Sequence, residues 1–232
     1  MGCILKGNSG LYSRLTVGAV LLAAGAGTRL GGRPKPLLEL GGVPLILRSL
    51  IALSGSGVDE VAIVLGHHAP EIEATVRAFP VTLVHNPAPE AGQPSSVRLG
   101  LAALSARLDA LMIVLADQPL IESEDITALI GAFKKRGNAS MVVPRVTRGD
   151  GSSQPGNPII FDAALRDEWL AGSANLACRQ WRATHPERIS WFDTGNHRYA
   201  LDIDTPEDLE RFAQETGHRL LWPGEPATGA RS

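Results

Sequence analysis

The chain has 232 residues and only two cysteines, Cys3 and Cys178, too few for a disulfide framework. No CxxC pair or Cys/His zinc spacing occurs, and a reducing cytoplasm is the expected setting. No apolar run approaches the ~20 residues that a membrane-spanning helix needs. The N-terminus also lacks the apolar core of a signal peptide, so no membrane association is expected. Charge of one sign is missing too. The 22 Lys+Arg against 24 Asp+Glu leave a net charge of −2, which argues against broad binding to nucleic acid. Aromatic residues make up 5% of the chain, and Trp169, Trp181, Trp191 and Trp222 all fall outside the first half. They are expected to pack rather than to stack on bases. There is no GxSxG and no plausible Ser/His/Asp set.

What remains is an ordinary globular composition, 44% hydrophobic and 20% charged. Residues 1–16 read as a flexible leader. Residues 217–232, with Pro223, Gly224, Pro226 and Gly229, read as a flexible tail. One domain, 17–216, lies between them. Within it, strand-length apolar runs recur at 17–23, 61–65, 81–84, 110–116 and 140–143. Their lack of polar alternation predicts strands covered on both faces. Stretches with helical spacing, 44–53, 70–79 and 96–108, separate them. The expected fold is an α/β three-layer sandwich, a mostly parallel sheet with right-handed crossovers. Residues 145–158 read as a long loop, and 158–161 and 189–192 as short strands of a small β insertion. A last strand at 199–203 precedes a helix at 205–214 with Pro206 in its first turn.

Three constellations carry chemistry. The first follows the first strand: Ala23-Ala24-Gly25-Ala26-Gly27-Thr28-Arg29-Leu30-Gly31, then Lys35 between Pro34 and Pro36. Small residues at the carboxyl edge of a parallel sheet let backbone N–H groups close on an anion. Arg29 and Lys35 add positive charge, which suits a polyphosphate. Leu30 stands where the dinucleotide fingerprint GxGxxG needs its third glycine, and the P-loop is absent, so a hydride-transferring enzyme is disfavoured. The second constellation is acidic. Asp117 directly follows the fourth strand, and Asp202 and Asp204 end the last one. Hard oxygen ligands suit Mg²⁺, but Asp117 and Asp204 would also serve as helix caps. The third is the segment Asn86, Gly92, Ser95 and Ser96, where a serine would cap the helix that follows. His67-His68 has no third ligand at a sensible spacing and reads as a loop pair.

The opening run with Lys35-Pro36-Leu37-Leu38 resembles that of the MobA-like nucleotidyltransferases. The molybdenum cofactor cytidylyltransferases are the nearest branch, since their opening is Ala-Ala-Gly rather than Leu-Ala-Gly-Gly. The resemblance spans 17 to about 212. It implies a Rossmann-like nucleotidyltransferase that moves CMP from CTP to a phosphate-bearing, molybdopterin-type acceptor. Arg29, Lys35 and Asp117 would be catalytic, and Mg²⁺ would sit on Asp117, with Asp204 and then Asp202 as further ligands. It implies contacts from Asn86, Gly92, Ser95 and Ser96 to base and ribose, and an acceptor pocket bordered by Gly156-Asn157-Pro158. A molybdoenzyme or its chaperone would receive the product. The family's Gly-Asp-Lys-Gly-Ala-Arg-like segment corresponds here to the stretch 172–179, where the Lys and the first carboxylate are missing. Alternatives are another nucleotide or acceptor (GTP with molybdopterin, or a sugar phosphate) and a non-catalytic nucleotide-binding regulator.

Overall fold

The computed structural model describes residues 14–171 and 178–226. The chain runs β1 (Val17–Ala23), β2 (Glu39–Leu40), β3 (Val43–Pro44), α1 (Leu45–Gly55), β4 (Glu60–Leu65), α2 (Ala69–Val76), β5 (Thr82–His85) and α3 (Gln93–Ala103). It continues through β6 (Ala110–Leu115), α4 (Ser123–Lys134), β7 (Met141–Thr147), β8 (Ser153–Pro155), β9 (Ile159–Asp162), α5 (Ala164–Ala171), α6 (Cys178–Thr184), β10 (Ile189–Thr194), α7 (Pro206–Thr216) and β11 (Leu220–Leu221).

The main sheet has the order β10-β7-β9-β6-β1-β4-β5, with β8 paired to β7. Strands β6, β1, β4 and β5 pair in parallel, while β9 runs antiparallel to both β6 and β7. β1 sits in the middle, and its apolar sequence is sorted by side-chain alternation. Ala19, Leu21 and Ala23 pack with α1, α2 and α4, while Val20 packs with α3, α5 and α6. This is the expected sandwich of helices on both faces of a mostly parallel sheet.

Several local expectations change. The strands expected at 158–161 and 189–192 are β9 and β10, and both join the main sheet. The loop expected over 145–158 is largely the β7–β8 hairpin. Helix α4 was not legible as an element. Its cap is Glu122, which forms a reciprocal box with Asp125 rather than using the usual Ser, Thr, Asn or Asp.

The strand expected at 199–203 is instead a 3₁₀ turn, His197–Ala200, followed by extended chain outside any sheet. Its backbone is satisfied elsewhere. Tyr199 O accepts from Asn157 N at 2.7 Å, and Ile203 N donates to Asp117 O at 3.1 Å. The buried Tyr199 hydroxyl donates to Asp125 O at 2.7 Å and pins the crossing. This segment therefore passes over the carboxyl edge of the sheet instead of extending it.

Residues 14–16, expected in the leader, and residues 217–222, expected in the tail, are held in the structure. Arg14 bonds Gly57 O, and Thr16 bonds Asp109 through both its N and its Oγ1. Residues 1–13 of the leader lie outside the described residues. β11 pairs with β2, which pairs with β3, forming a small sheet under α7. Leu220 and Trp222 are buried there with Leu38, Leu45 and Phe212, and the Arg33 guanidinium lies 4.0 Å over the Trp222 ring.

Candidate active site

The carboxyl ends of β1 and β6 open into a cleft of about 310 Å³. Its walls bring together Ala23, Ala24, Gly25, Lys35, Gly92, Ser96, Asp117, Asp202 and Asp204, all expected site residues. Pro89 and Gln93 also line it and were not singled out from sequence.

The loop after β1 does not lead into an α-helix. A 3₁₀ turn, Thr28–Leu30, follows it, and α1 starts only at Leu45. The loop folds on Gly27, whose carbonyl accepts from the amides of Leu30 and Gly32 at 2.8 and 3.0 Å. Gly27 has φ +62°, and a Cβ there would lie 2.0 Å from Arg33 O, so only glycine fits. The amides of Gly25, Ala26 and Gly27 donate to no other group among the described residues. From the turn between β4 and α2, His67 Nδ1 meets Ala24 O and His68 Nε2 meets Ala26 O, each at 3.3 Å. The two histidines brace the loop's carbonyls and belong to no metal cluster among the described residues. Ala26, Gly27, Thr28 and Arg29 lie beyond the cleft wall proper.

Lys35 is held by its neighbours. Pro34 is extended, Pro36 and Leu37 are buried, and the short 3₁₀ turn Lys35–Leu37 aims the side chain into the cleft. Its ammonium lies 2.7 Å from Asp117 Oδ2 and 2.6 Å from Asp204 Oδ1. Burial disfavours the charge, but Asp117 and Asp204 outweigh it and hold the Lys35 pKa above the ordinary lysine value. Arg29 reaches Asp204 Oδ2 at 2.9 Å from a largely exposed position, where an ion pair is worth little.

The cap of α7 is Thr205, in a reciprocal box with Asp208. Asp204 is thereby released from capping and turns to Lys35 and Arg29 instead. Asp202 is different, since no other residue donates a hydrogen bond to its carboxyl among the described residues. Although the residue is exposed, it lines the cleft. Desolvation, then Asp117 and Asp204, push its pKa up. Asp117 Oδ1 is buried and likewise has no partner among the described residues.

An orphaned carboxylate oxygen beside a carboxyl that resists ionising is a donor set suited to a divalent cation. The expected three-carboxylate site is not preformed. No group of three or more His, Cys, Asp or Glu that could hold a metal occurs among the described residues, and Asp204 is committed to Lys35 and Arg29. Asp117 and Asp202 fit the one or two carboxylates that Mg²⁺ takes when phosphate and water complete its shell.

The third constellation divides. Asn86 is buried and fully used: Nδ2 donates to Ser95 Oγ and Ser96 Oγ at 2.9 Å, and Oδ1 accepts from Ala88 N at 2.9 Å. It supports the cleft wall from below and does not line it. The expected serine cap is absent. α3 starts at Gln93, three residues before the expected start, behind Gly92, and Ser95 Oγ donates back to Gly92 O at 2.8 Å. Gly92 and Ser96 do reach the cleft.

A second pocket of about 420 Å³ adjoins the first and shares Asp202. Asn157 lines it, while Gly156 and Pro158 are buried behind. A Cβ on Gly156 would lie 2.6 Å from Tyr199 O, so the turn needs glycine to approach that chain. Gln118, Arg179 and Arg182 also line this pocket. None was singled out as a site residue, although Gln118 directly follows Asp117. Residues 172–177 of the segment that departs from the family pattern lie outside the described residues.

Nicotine blue oxidoreductase of Paenarthrobacter nicotinovorans is 31% identical over 202 residues, 84% of this chain and 96% of that protein. The bifunctional IPC transferase and DIPP synthase of Rubrobacter xylanophilus is 37% identical over 86% of this chain, which spans only about half, 51%, of that enzyme. A nucleotidyl transferase from Methanothermobacter superposes with a TM-score of 0.68 at 25% identity, over 86% of this chain and 97% of its own. The MobA-like NTP transferase domain profile matches residues 19–189, and the chain belongs to that family.

Proposed function

We propose that the protein transfers CMP from CTP to a phosphate-bearing acceptor and releases pyrophosphate. The observation that carries this reading is the meeting of Lys35, Asp117 and Asp202 around one cleft with Gly25, the first residue of a loop whose Gly25–Gly27 amides are unused among the described residues. The acceptor phosphate is mostly dianionic near neutral pH, its second pKa being about 6, so no general base is required. One of its oxygens attacks the α-phosphorus of the triphosphate. The bond from that phosphorus to the α–β bridging oxygen breaks, and both electrons leave with pyrophosphate. The chain's task is alignment and charge. The loop amides hold the triphosphate oxygens. Lys35, swinging from its carboxylates or shared with them, offsets the negative charge gathered on the α-phosphate. Asp117 and Asp202 would hold a divalent cation, Mg²⁺ by preference, which supplies Lewis-acid neutralisation of the phosphates when bound.

CTP is favoured by the Ala23-Ala24-Gly25 opening, and a molybdopterin-type acceptor by the family branch it resembles. The test is pyrophosphate release with CTP, GTP, ATP or UTP and Mg²⁺, with and without molybdopterin and with sugar phosphates. Turnover with CTP and molybdopterin supports the full reading. Turnover with another pair keeps the reaction and replaces the substrates, and binding without turnover in any pair supports a regulator.

A second reading rests on the name of the relative from Paenarthrobacter, an oxidoreductase matched over 96% of its length. A nicotinamide dinucleotide also presents a pyrophosphate to such a loop. Against this, Leu30 replaces the third glycine, and no helix N-terminus stands behind the loop to receive a dinucleotide. Oxidation of NADH or NADPH coupled to dye reduction, with no pyrophosphate release, would establish this second reading instead.

A further inference from the structure

The unused amides of Gly25 and Gly27 are aimed by the peptide groups that carry them. Both peptide bonds are trans, since the cis bond among the described residues is Asn157–Pro158. In a planar trans peptide the C=O and the following N–H point in opposite directions. Wherever Ala24 O turns, Gly25 N–H turns the other way, and Ala26 O and Gly27 N–H are coupled alike. These two carbonyls are the ones that His67 Nδ1 and His68 Nε2 meet at 3.3 Å. Neither histidine lines the cleft, whereas Ala24 and Gly25 do. The turn that carries the rings lies hard against the loop: a Cβ on Gly66 would lie 2.4 Å from Ala24 O, so glycine is required there. His68 heads α2, yet its side chain makes no capping bond and is left to the loop. Each held carbonyl is followed by a glycine, whose φ tolerates either sign, so sterics alone would not stop that peptide from turning over. A peptide turned over would offer an anion a carbonyl oxygen in place of an N–H.

We infer that His67 and His68 are positioning residues for the triphosphate: by holding Ala24 O and Ala26 O outside the cleft, they turn the N–H groups of Gly25 and Gly27 towards the ligand. The inference rests on the proposed transfer reaction and says what keeps its phosphate loop set before substrate arrives. The histidines touch no reacting atom. They act through the loop, one ring for each amide, and a neutral ring donates as well as a charged one.

Two readouts on the full chain test it. The first is the set of glycine amide signals in heteronuclear NMR of the ligand-free protein. His67→Ala should shift the Gly25 signal and His68→Ala the Gly27 signal, while Gly131 in α4 keeps its place. The second is calorimetric affinity for inorganic tripolyphosphate, which has no base, and for CTP. Each alanine variant should bind both about three- to tenfold more weakly, the range of one hydrogen bond, and the double variant about tenfold or more. Tm should not move, since neither histidine is buried. Rescue should depend on which nitrogen is replaced. The amide nitrogen of Asn takes the place of Nδ1, and that of Gln the place of Nε2. His67→Asn and His68→Gln should therefore return to within about twofold of native affinity, whereas His67→Gln and His68→Asn should not. Glycine signals or affinities unmoved in the alanine variants overturn the inference, and so does rescue indifferent to the amide used. If an alanine variant does not fold, the mismatched amide at that position takes its place. A native chain that binds neither tripolyphosphate nor CTP would sink the transfer reaction, and the glycine signals would still decide the role of the histidines. Native binding indifferent to both rings would do the reverse.

Discussion

Lys35 Nζ lies 2.7 Å from Asp117 Oδ2, though 82 positions separate the two residues in sequence. The contact ties the Gly-rich loop region to the end of β6 and places one cation and one orphaned carboxylate oxygen in the same cleft. Lys35→Met should lower kcat for pyrophosphate release by about 10²–10³-fold, the loss typical of removing one oxyanion-stabilising donor. Lys35→Arg should recover little, because the 3₁₀ turn fixes the reach of the side chain. Steady-state kinetics on both variants check this, and near-native kcat in Lys35→Met would exclude the lysine from the reaction.

Asp202 offers a test by pH. Its folded pKa is raised, by desolvation first and then by Asp117 and Asp204. Such a group favours folding fully only below its unfolded value of about 4, and that contribution is lost as pH rises through the folded value. At neutral pH the free protein therefore carries an unfavourable charge there. Asp202→Asn should raise Tm of the metal-free protein at pH 7, and the gain should vanish near pH 3. The same variant should raise the Mg²⁺ concentration needed for half-maximal activity. Differential scanning calorimetry at the two pH values, with a Mg²⁺ titration of turnover, reads both effects.

Gly27→Ala should weaken triphosphate binding. The left-handed conformation costs a non-glycine residue about 1–2 kcal/mol, and the new Cβ would meet Arg33 O besides. About a tenfold or greater rise in the dissociation constant for CTP follows if the loop shifts. Gly31→Ala also meets a positive φ but has open space around its Cβ, so it should cost less. Equal affinities in the two variants would remove the loop's shape from the binding account.

Cys178 should be inert. Burial pushes its thiol up to about 12, with only partial relief from Arg182. Alkylation at pH 8, followed by mass spectrometry of the peptide that contains Cys178, should be slow in the folded protein and fast in denaturant. Rapid native labelling would mean that α6 opens readily.

The C-terminal strand should matter to stability. Truncation after residue 218 removes the buried Leu220 and Trp222 and uncovers Leu38 and Phe212. At about 1.5–3 kcal/mol per buried large side chain, Tm should fall on the order of 10 °C. An unchanged Tm would show that the small sheet contributes nothing.

The parallel core was legible because strands covered on both faces are written as unbroken apolar runs, and β1 is Val17–Ala23 as read. The cleft was legible for a related reason. Ligands gather at the carboxyl ends of such strands, which made Lys35 and Asp117 candidates before any geometry was known. Where the chain leaves that rhythm, local signals mislead. The apolar stretch around Tyr199 and Ile203 has the composition of a strand, yet its backbone bonds go to Asn157, Gln118 and Asp117. Capping could not be assigned between Asp204 and Thr205 from spacing alone, because either would serve. Leu220 and Trp222 sat among glycine and proline, and only their pairing with residues near position 40 shows why they are buried. Arg179 and Arg182 carry no motif, and their placement depends on the tertiary packing of α6.

Asp117 lines the main cleft and Gln118 the second pocket, so the wall between the two includes a single peptide unit at the tip of a central strand, beside Asp202, which lines both. Consecutive Cα atoms are fixed about 3.8 Å apart by covalent geometry. The two pockets therefore cannot move apart at this wall without bending the backbone at the end of β6.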